Sequence, residues 1–146
     1  MIIFLNGTSS SGKTSIAKSL QGKLELPYLL VGIDTFYDMF PKKFLQDGER
    51  NCMGYCYDTK QDQAGNTIAE ITLGQYGKNL TSSTIPVIKI LAENNNNLII
   101  DEILYVGEER NFLEEYADNL RGQTVCFIKI DCSLEELEKR EQKRRS

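Results

Sequence analysis

The residues best suited to chemistry lie close together near the start of the chain, in residues 2–15, which read IIFLNGTSSSGKTS. Gly7, followed after four residues by Gly12, Lys13 and Thr14, fits the signature of a phosphate-binding loop. Glycine lets the backbone amides turn toward a phosphate, because no Cβ blocks positive φ or the approach of the ligand. The lysine supplies a cation for a transferring phosphoryl group, and the threonine hydroxyl is a typical Mg²⁺ ligand. We predict a nucleotide site formed by Gly7, Thr8, Ser9, Ser10, Ser11, Gly12, Lys13, Thr14 and Ser15.

The residues around this loop favour a nucleotide site over a serine-rich surface turn. The run at residues 2–5 is typical of a buried strand, and Ile16, Leu20 and Leu24 recur at helical spacing. A dinucleotide-binding fingerprint is poorly supported, because its middle glycine would fall at position 9, which is serine. The order is therefore strand, loop and helix.

Acidic residues follow two further apolar runs. Asp34 comes after residues 28–33 and could accept the proton of an attacking hydroxyl group, or it could simply cap the helical turn that follows. Asp101 comes after residues 98–100 and fits a carboxylate that supports Mg²⁺, although a solvated strand end is the plainer interpretation. Glu102 could orient a water molecule or the acceptor, or it too could be solvated.

The last helix is strongly basic. Arg140 and Arg144 are spaced i, i+4, so they share a face and could stabilise the charge of a transferring phosphoryl group. A solvated basic face is the alternative, because cations near a helix C-terminus favour the helix anyway.

Strands and helices alternate along the chain. Further strands are predicted over residues 28–33, 98–100 and 124–130, and helices over residues 13–24, 72–93 and 108–121, with a kink or a fresh start at Pro86. Right-handed crossovers then give a mostly parallel sheet with helices on both faces, an α/β/α fold whose ligands bind at the carboxyl ends of the strands. Residues 42–66 show no clear periodicity and are predicted to form the wall or lid of an acceptor site.

Composition narrows the function further. The 146 residues suit one domain, and 21 acidic against 17 basic residues argue against a general nucleic-acid binder. No apolar run approaches the roughly 20 residues of a membrane span, and no basic leader precedes the first strand. We expect a cytoplasmic protein without a membrane partner, and an oligomer stays open.

The segments IIFLNGTSSSGKTSIAKSLQ, LLVGIDTFYDMFP, NLIIDEIL and VCFIKIDCSLEELEKREQKRR together resemble the chloramphenicol phosphotransferase-like family of small phosphate-loop kinases. The resemblance implies a nucleoside- or shikimate-kinase-like fold and ATP-dependent phosphorylation of a small hydroxylated compound. Chloramphenicol is one of the acceptors that it suggests. It matches Asp34 to the catalytic base and Lys13 and Thr14 to the nucleotide and metal groups. Arg140 and Arg144 match lid arginines.

The resemblance also carries a departure. Members of this family continue past the lid into a further strand and helix, so we expect the sheet to lack that last strand and the activity of the 146-residue form to be uncertain. Two alternatives to a kinase stay open, a nucleotide-binding regulatory module and a nucleotide hydrolase.

Overall fold

The computed structural model describes residues 1–61, 65, 67–104 and 111–145, and of residues 69, 144 and 145 it describes the backbone alone. The chain divides into two compact units. The sheet unit comprises Met1–Ile33 and the residues from Ile85 onward, and the aromatic unit comprises Asp34–Thr84. The prediction of a single domain stays a prediction.

The elements follow the predicted alternation, with additions in the middle of the chain. In order they are β1 Ile2–Asn6, α1 Lys13–Lys23, β2 Tyr28–Gly32, α2 Ile33–Asp38, 3₁₀ turns at Lys42–Phe44 and Asn51–Met53, β3 Tyr55–Gln61, β4 Thr67–Leu73, α3 Gln75–Glu93, β5 Asn97–Glu102, α4 Phe112–Asn119, β6 Val125–Lys129 and α5 Leu134–Arg145. Among the residues described, no helix combines the length and apolar character needed to cross a membrane.

The sheet unit is built on four parallel strands in the order β2-β5-β1-β6. The central strands β1 and β5 are apolar on both faces, so the core is mainly aliphatic and contains fully buried Ile2, Leu5, Leu98, Ile99 and Ile100. Leu20 of α1 and Leu24 directly after it pack against this core, as their helical spacing predicts, whereas Ile16 at the same spacing is 37% exposed. The parallel α/β architecture is confirmed.

Aromatic side chains pack around the first strand. Phe4 stacks on Phe127 with ring centroids 5.2 Å apart, and it meets the ring edge of Tyr116 at 4.9 Å. These contacts join β1 to β6 and α4. Tyr116 of α4 and Leu120 directly after it are buried, whereas the side chain of Leu113 is 47% exposed.

The aromatic unit contains the largest difference from the predicted elements. Residues 42–66, predicted to be irregular, include β3, which pairs antiparallel with β4 in the register Tyr55 to Leu73. Tyr55 lies at the centre of a cluster of edge-to-face rings, with centroids 5.2 Å from Tyr37 and 5.8 Å from Phe40. Its hydroxyl lies 3.0 Å from that of Thr81, and burial raises the pKa of the phenol.

The long helix α3 also differs from its prediction in two respects. It begins at Gln75, because residues 72 and 73 belong to β4. Pro86 lies inside one continuous helix and starts no new one. The helix accommodates the proline at the loss of one backbone donor.

Candidate functional site

The predicted phosphate loop joins the end of β1 to the start of α1 within the sheet unit. Gly12 is the N-cap of α1 and has φ +98°, a left-handed conformation that glycine adopts without steric cost. Ser10 also has positive φ, at 58°. The loop therefore turns sharply into the helix, whose first backbone N–H groups have no partner within the helix and favour an anion.

The structure requires glycine at position 7 for a reason other than the positive φ expected of a loop glycine. Gly7 is not among the positive-φ glycines, and a Cβ placed there would lie 2.6 Å from the backbone oxygen of Ile130. Glycine at this position allows the chain after β6 to pack directly against the start of the loop.

Lys13 and Ser11 are the buried polar residues of the loop, 7% and 6% exposed. The Lys13 ammonium group donates to the carbonyl oxygen of Thr8 at 2.9 Å, which ties both ends of the loop together. In the described part of the structure the buried hydroxyl of Ser11 has no hydrogen-bond partner. A buried polar atom without a partner costs free energy, so this loop is suited to a polar ligand.

Thr14 and Asp101 are brought together as the sequence suggested. The Thr14 hydroxyl donates to Asp101 Oδ2 at 2.7 Å, and Asp101 stands beside Leu5 in the pairing of β5 with β1. Mg²⁺ is commonly held by one or two such oxygen ligands together with substrate phosphates and water. Within the described ranges, no three His, Cys, Asp or Glu side chains gather as a complete metal cluster. The pair fits a cation that arrives with a nucleotide.

Helix α5 contacts the loop directly through Arg140. Its guanidinium group donates to the carbonyl oxygens of Ser10 and Ser11, each at 3.2 Å, and to the Glu136 carboxylate at 2.8 Å. This hydrogen bond from Arg140 lowers the pKa of Glu136 and raises that of the guanidinium group. The side chain of Arg144 lies outside the described part of the structure.

Glu141 is a contact of the loop that the sequence interpretation missed. Its Oε1 accepts hydrogen bonds from the hydroxyls of Ser9 and Ser10, at 3.0 and 2.6 Å. No local pattern signals this, because the partners are 132 and 131 residues apart in the sequence. Only the position beside Arg140 could have suggested it.

The two other candidate carboxylates have contrasting surroundings. Asp34 lies in the first turn of α2, two residues after β2, and is exposed to solvent. Glu102 is 6% exposed and accepts a hydrogen bond from the Tyr116 hydroxyl at 2.7 Å. Burial against α4 favours a structural role for Glu102 over the orientation of water or an acceptor.

The aromatic unit contains an open groove of about 420 Å³. This aromatic groove is lined by Phe40, Pro41, Phe44, Tyr76, Asn79, Leu80 and Ser83. Three aromatic rings give it an apolar floor, and one amide and one hydroxyl group offer polar contacts. Of these residues only Phe44 lies within residues 42–66, the range predicted to form the acceptor wall.

The chain was compared with known proteins. The family model described as "Chloramphenicol phosphotransferase-like protein" matches residues 1–146. The protein named "Putative O-phosphotransferase Rv2636" of Mycobacterium tuberculosis (strain ATCC 25618 / H37Rv) is 27% identical over 143 residues, which are 98% of this chain. The chain spans 62% of the length of that relative.

Solved structures show the same fold. A chain titled "Structure of the Pnkp1/Rnl/Hen1 RNA repair complex" matches with a TM-score of 0.56 and 22% identity, over 98% of this chain and 37% of that one. A sugar kinase from Janibacter sp. HTCC2649 matches with a TM-score of 0.55 and 21% identity, over 99% of this chain and 67% of that one. At these identities the likeness shows the fold alone, and it agrees with the phosphate-loop kinase architecture.

Proposed function

Because the chain belongs to the chloramphenicol phosphotransferase-like family, we propose that it transfers a phosphoryl group from ATP to a hydroxyl group of a small molecule. The observation that carries this proposal is the loop from Gly7 to Ser15, with Lys13 buried at its end and Thr14 bonded to Asp101. Since the chain spans part of its curated relatives' length, the activity of the whole protein belongs to the proposal.

Nucleotide binding would rest on the loop and the start of α1. The backbone amides of Thr8 to Thr14 and the Lys13 ammonium group would hold phosphate oxygens, and the Ser11 hydroxyl would gain the partner that its buried position lacks. Thr14 and Asp101 would hold Mg²⁺, which offsets phosphate charge in this chemistry. Arg140 already lies at the loop carbonyls and would supply positive charge to the transferring group, with Arg144 in the same role.

Asp34 would accept the proton of the acceptor hydroxyl. Its carboxylate is exposed at the start of α2 and is therefore accessible to a substrate. The assignment requires Asp34 to approach the transferring phosphoryl group when both substrates are bound. A carboxylate in hydrogen-bond reach of the hydroxyl would then act as general base.

The aromatic groove supports an acceptor with an apolar ring. Phe40, Phe44 and Tyr76 would contact the ring, while Asn79 and Ser83 would contact polar substituents. Chloramphenicol is one candidate because it combines an aromatic ring with a primary hydroxyl group. Other small aromatic alcohols fit the same description.

The test is acceptor-dependent release of ADP from ATP·Mg²⁺, with the mass of the product measured. Chloramphenicol and a panel of small alcohols serve as acceptors. Asp34→Asn should reduce transfer by roughly a hundredfold or more while nucleotide affinity stays unchanged, since a general base contributes to the transfer step. Asp38→Asn removes the same charge from the same helix and is the matched control.

Two results would contradict these roles. Equal loss of transfer and of nucleotide binding in Asp34→Asn would remove the general-base assignment. Turnover of ATP that is independent of any acceptor would favour the hydrolase alternative, which the burial of Glu102 weighs against.

A further inference from the structure

Two neighbouring residues of α5, one basic and one acidic, bond to different groups of the phosphate loop. Arg140 donates to loop carbonyls, while its neighbour Glu141 accepts from loop hydroxyls. We call these four hydrogen bonds the α5–loop contact. All of its residues belong to the sheet unit.

The two halves of the α5–loop contact have different consequences for a phosphate ligand. Arg140 brings a positive charge to the loop, which suits a bound anion. Glu141 brings a negative charge and accepts hydrogen bonds from the hydroxyls of Ser9 and Ser10, so these two hydroxyls are not available to a phosphate oxygen. The 2.6 Å bond to Ser10 has the short length typical of a hydroxyl bonded to a charged carboxylate.

We propose that Glu141 is an autoinhibitory residue, whose carboxylate occupies the phosphate loop in the absence of nucleotide and must leave before a nucleoside triphosphate binds. The proposal rests on the proposed function of the loop as a nucleotide site. A phosphate group and the Glu141 carboxylate would compete for the hydroxyls of Ser9 and Ser10. Both groups are negatively charged, so they would also repel each other inside the loop. The apparent nucleotide affinity is therefore lowered by the fraction of molecules in which Glu141 is bound to the loop.

Arg140 is proposed to stay at the loop both when Glu141 is bound there and after Glu141 has left. Its bonds go to the backbone carbonyl oxygens of Ser10 and Ser11, whereas Glu141 accepts from side-chain hydroxyls. Release of Glu141 leaves the guanidinium group beside the loop, where its positive charge favours a bound phosphate. One residue of α5 thus opposes nucleotide binding while the preceding residue favours it.

The experiment measures ATP and ADP affinity by calorimetry in Glu141→Gln, which keeps the side-chain shape and removes the charge. Glu138→Gln removes the same charge from an exposed position of α5 and is the matched control. We expect Glu141→Gln to bind ATP roughly three- to tenfold more tightly, with a smaller gain for ADP and none in the control.

A second measurement needs no nucleotide. Hydrogen exchange of α5 amides should be faster in Glu141→Gln than in the parent protein and Glu138→Gln, because the bonds from Ser9 and Ser10 lose their charged acceptor. Circular dichroism checks that both variants fold. Equal ATP affinity in Glu141→Gln and Glu138→Gln would overturn autoinhibition and leave the kinase proposal standing. Absence of nucleotide binding in all three proteins would overturn both.

Discussion

The two units of this chain differ in the side chains that pack inside each of them. The sheet unit has a mainly aliphatic core of residues from its central strands, such as Leu5, Ile99 and Ile100, with Phe4 and Tyr116 beside it. The aromatic unit has edge-to-face rings around Tyr55 and a hairpin of two strands. The proposed nucleotide site belongs to the first unit, and the aromatic groove and the proposed general base Asp34 belong to the second.

This difference separates the proposed nucleotide site from the proposed recognition of an acceptor. Parallel strands fix the loop, Thr14 and Asp101 by backbone pairing, and this arrangement is insensitive to the details of an acceptor. Ring contacts in the aromatic groove depend on side chains alone, so a substitution there changes shape while the sheet stays intact. We therefore expect substitutions in the two units to have separable effects.

The largest effect should come from the core of the sheet unit. Ile99→Ala removes a fully buried side chain from the central sheet and should lower the free energy of unfolding by about 3 kcal/mol. Ile90→Ala, at a position 56% exposed, should change it by less than about 0.5 kcal/mol. Urea denaturation followed by circular dichroism measures both, and similar losses in the two variants would remove the distinction between core and surface.

A smaller effect should come from the centre of the aromatic unit. Tyr55→Phe leaves the buried Thr81 hydroxyl without its tyrosine partner and should cost about 1 kcal/mol of unfolding free energy. Nucleotide affinity should stay unchanged, because the proposed nucleotide residues all lie in the sheet unit. Tyr76→Phe, at a ring 46% exposed, is the control in the same cluster. Weaker ATP binding in Tyr55→Phe would show that the units are not separable.

The smallest effect should be the acid sensitivity of α5. Arg140 lowers the pKa of Glu136, so as the pH falls the unfolded chain takes up this proton before the folded one does. The pair therefore contributes stability above the ordinary carboxyl value of 4.5, and that contribution is lost as the pH falls through the lowered pKa. Thermal unfolding from neutral to acid pH should show a slightly shallower decline in Glu136→Gln than in Glu138→Gln. Identical profiles would mean that the exposed pair is screened by solvent.

The sequence predicts the sheet unit well because its signals are local. The strand, loop and helix of residues 2–24 are contiguous, and each has its own apolar pattern. The loop glycine Gly12 and the pair Thr14 and Asp101 follow from motif spacing and from strand ends that meet at one edge. Here the physical cause of the structure lies within the segment that is being interpreted.

The missed features depend on partners that are distant or weakly apolar. In β3 only Tyr55 is buried, and residues 58–61 are polar and exposed. The segment therefore has too little apolar character to indicate a strand before β4 is recognised as its partner. Glu141 contacts a loop at the other end of the sequence. The i, i+4 spacing of arginines points to Arg140, which does contact the loop, but no pattern points to the acidic residue beside it.

The position of β1 in the sheet has a consequence for folding. Ile2 pairs with Leu98 on one side and with Val125 on the other, whereas Tyr55 of the hairpin pairs with Leu73. Contacts between residues far apart in the sequence form slowly, because a long loop must close first. During synthesis β1, which leads into the phosphate loop, is made before β5 and β6 and gains both neighbours only after β6 has emerged. The hairpin can form much earlier, so the chain is expected to complete its aromatic unit before its nucleotide site.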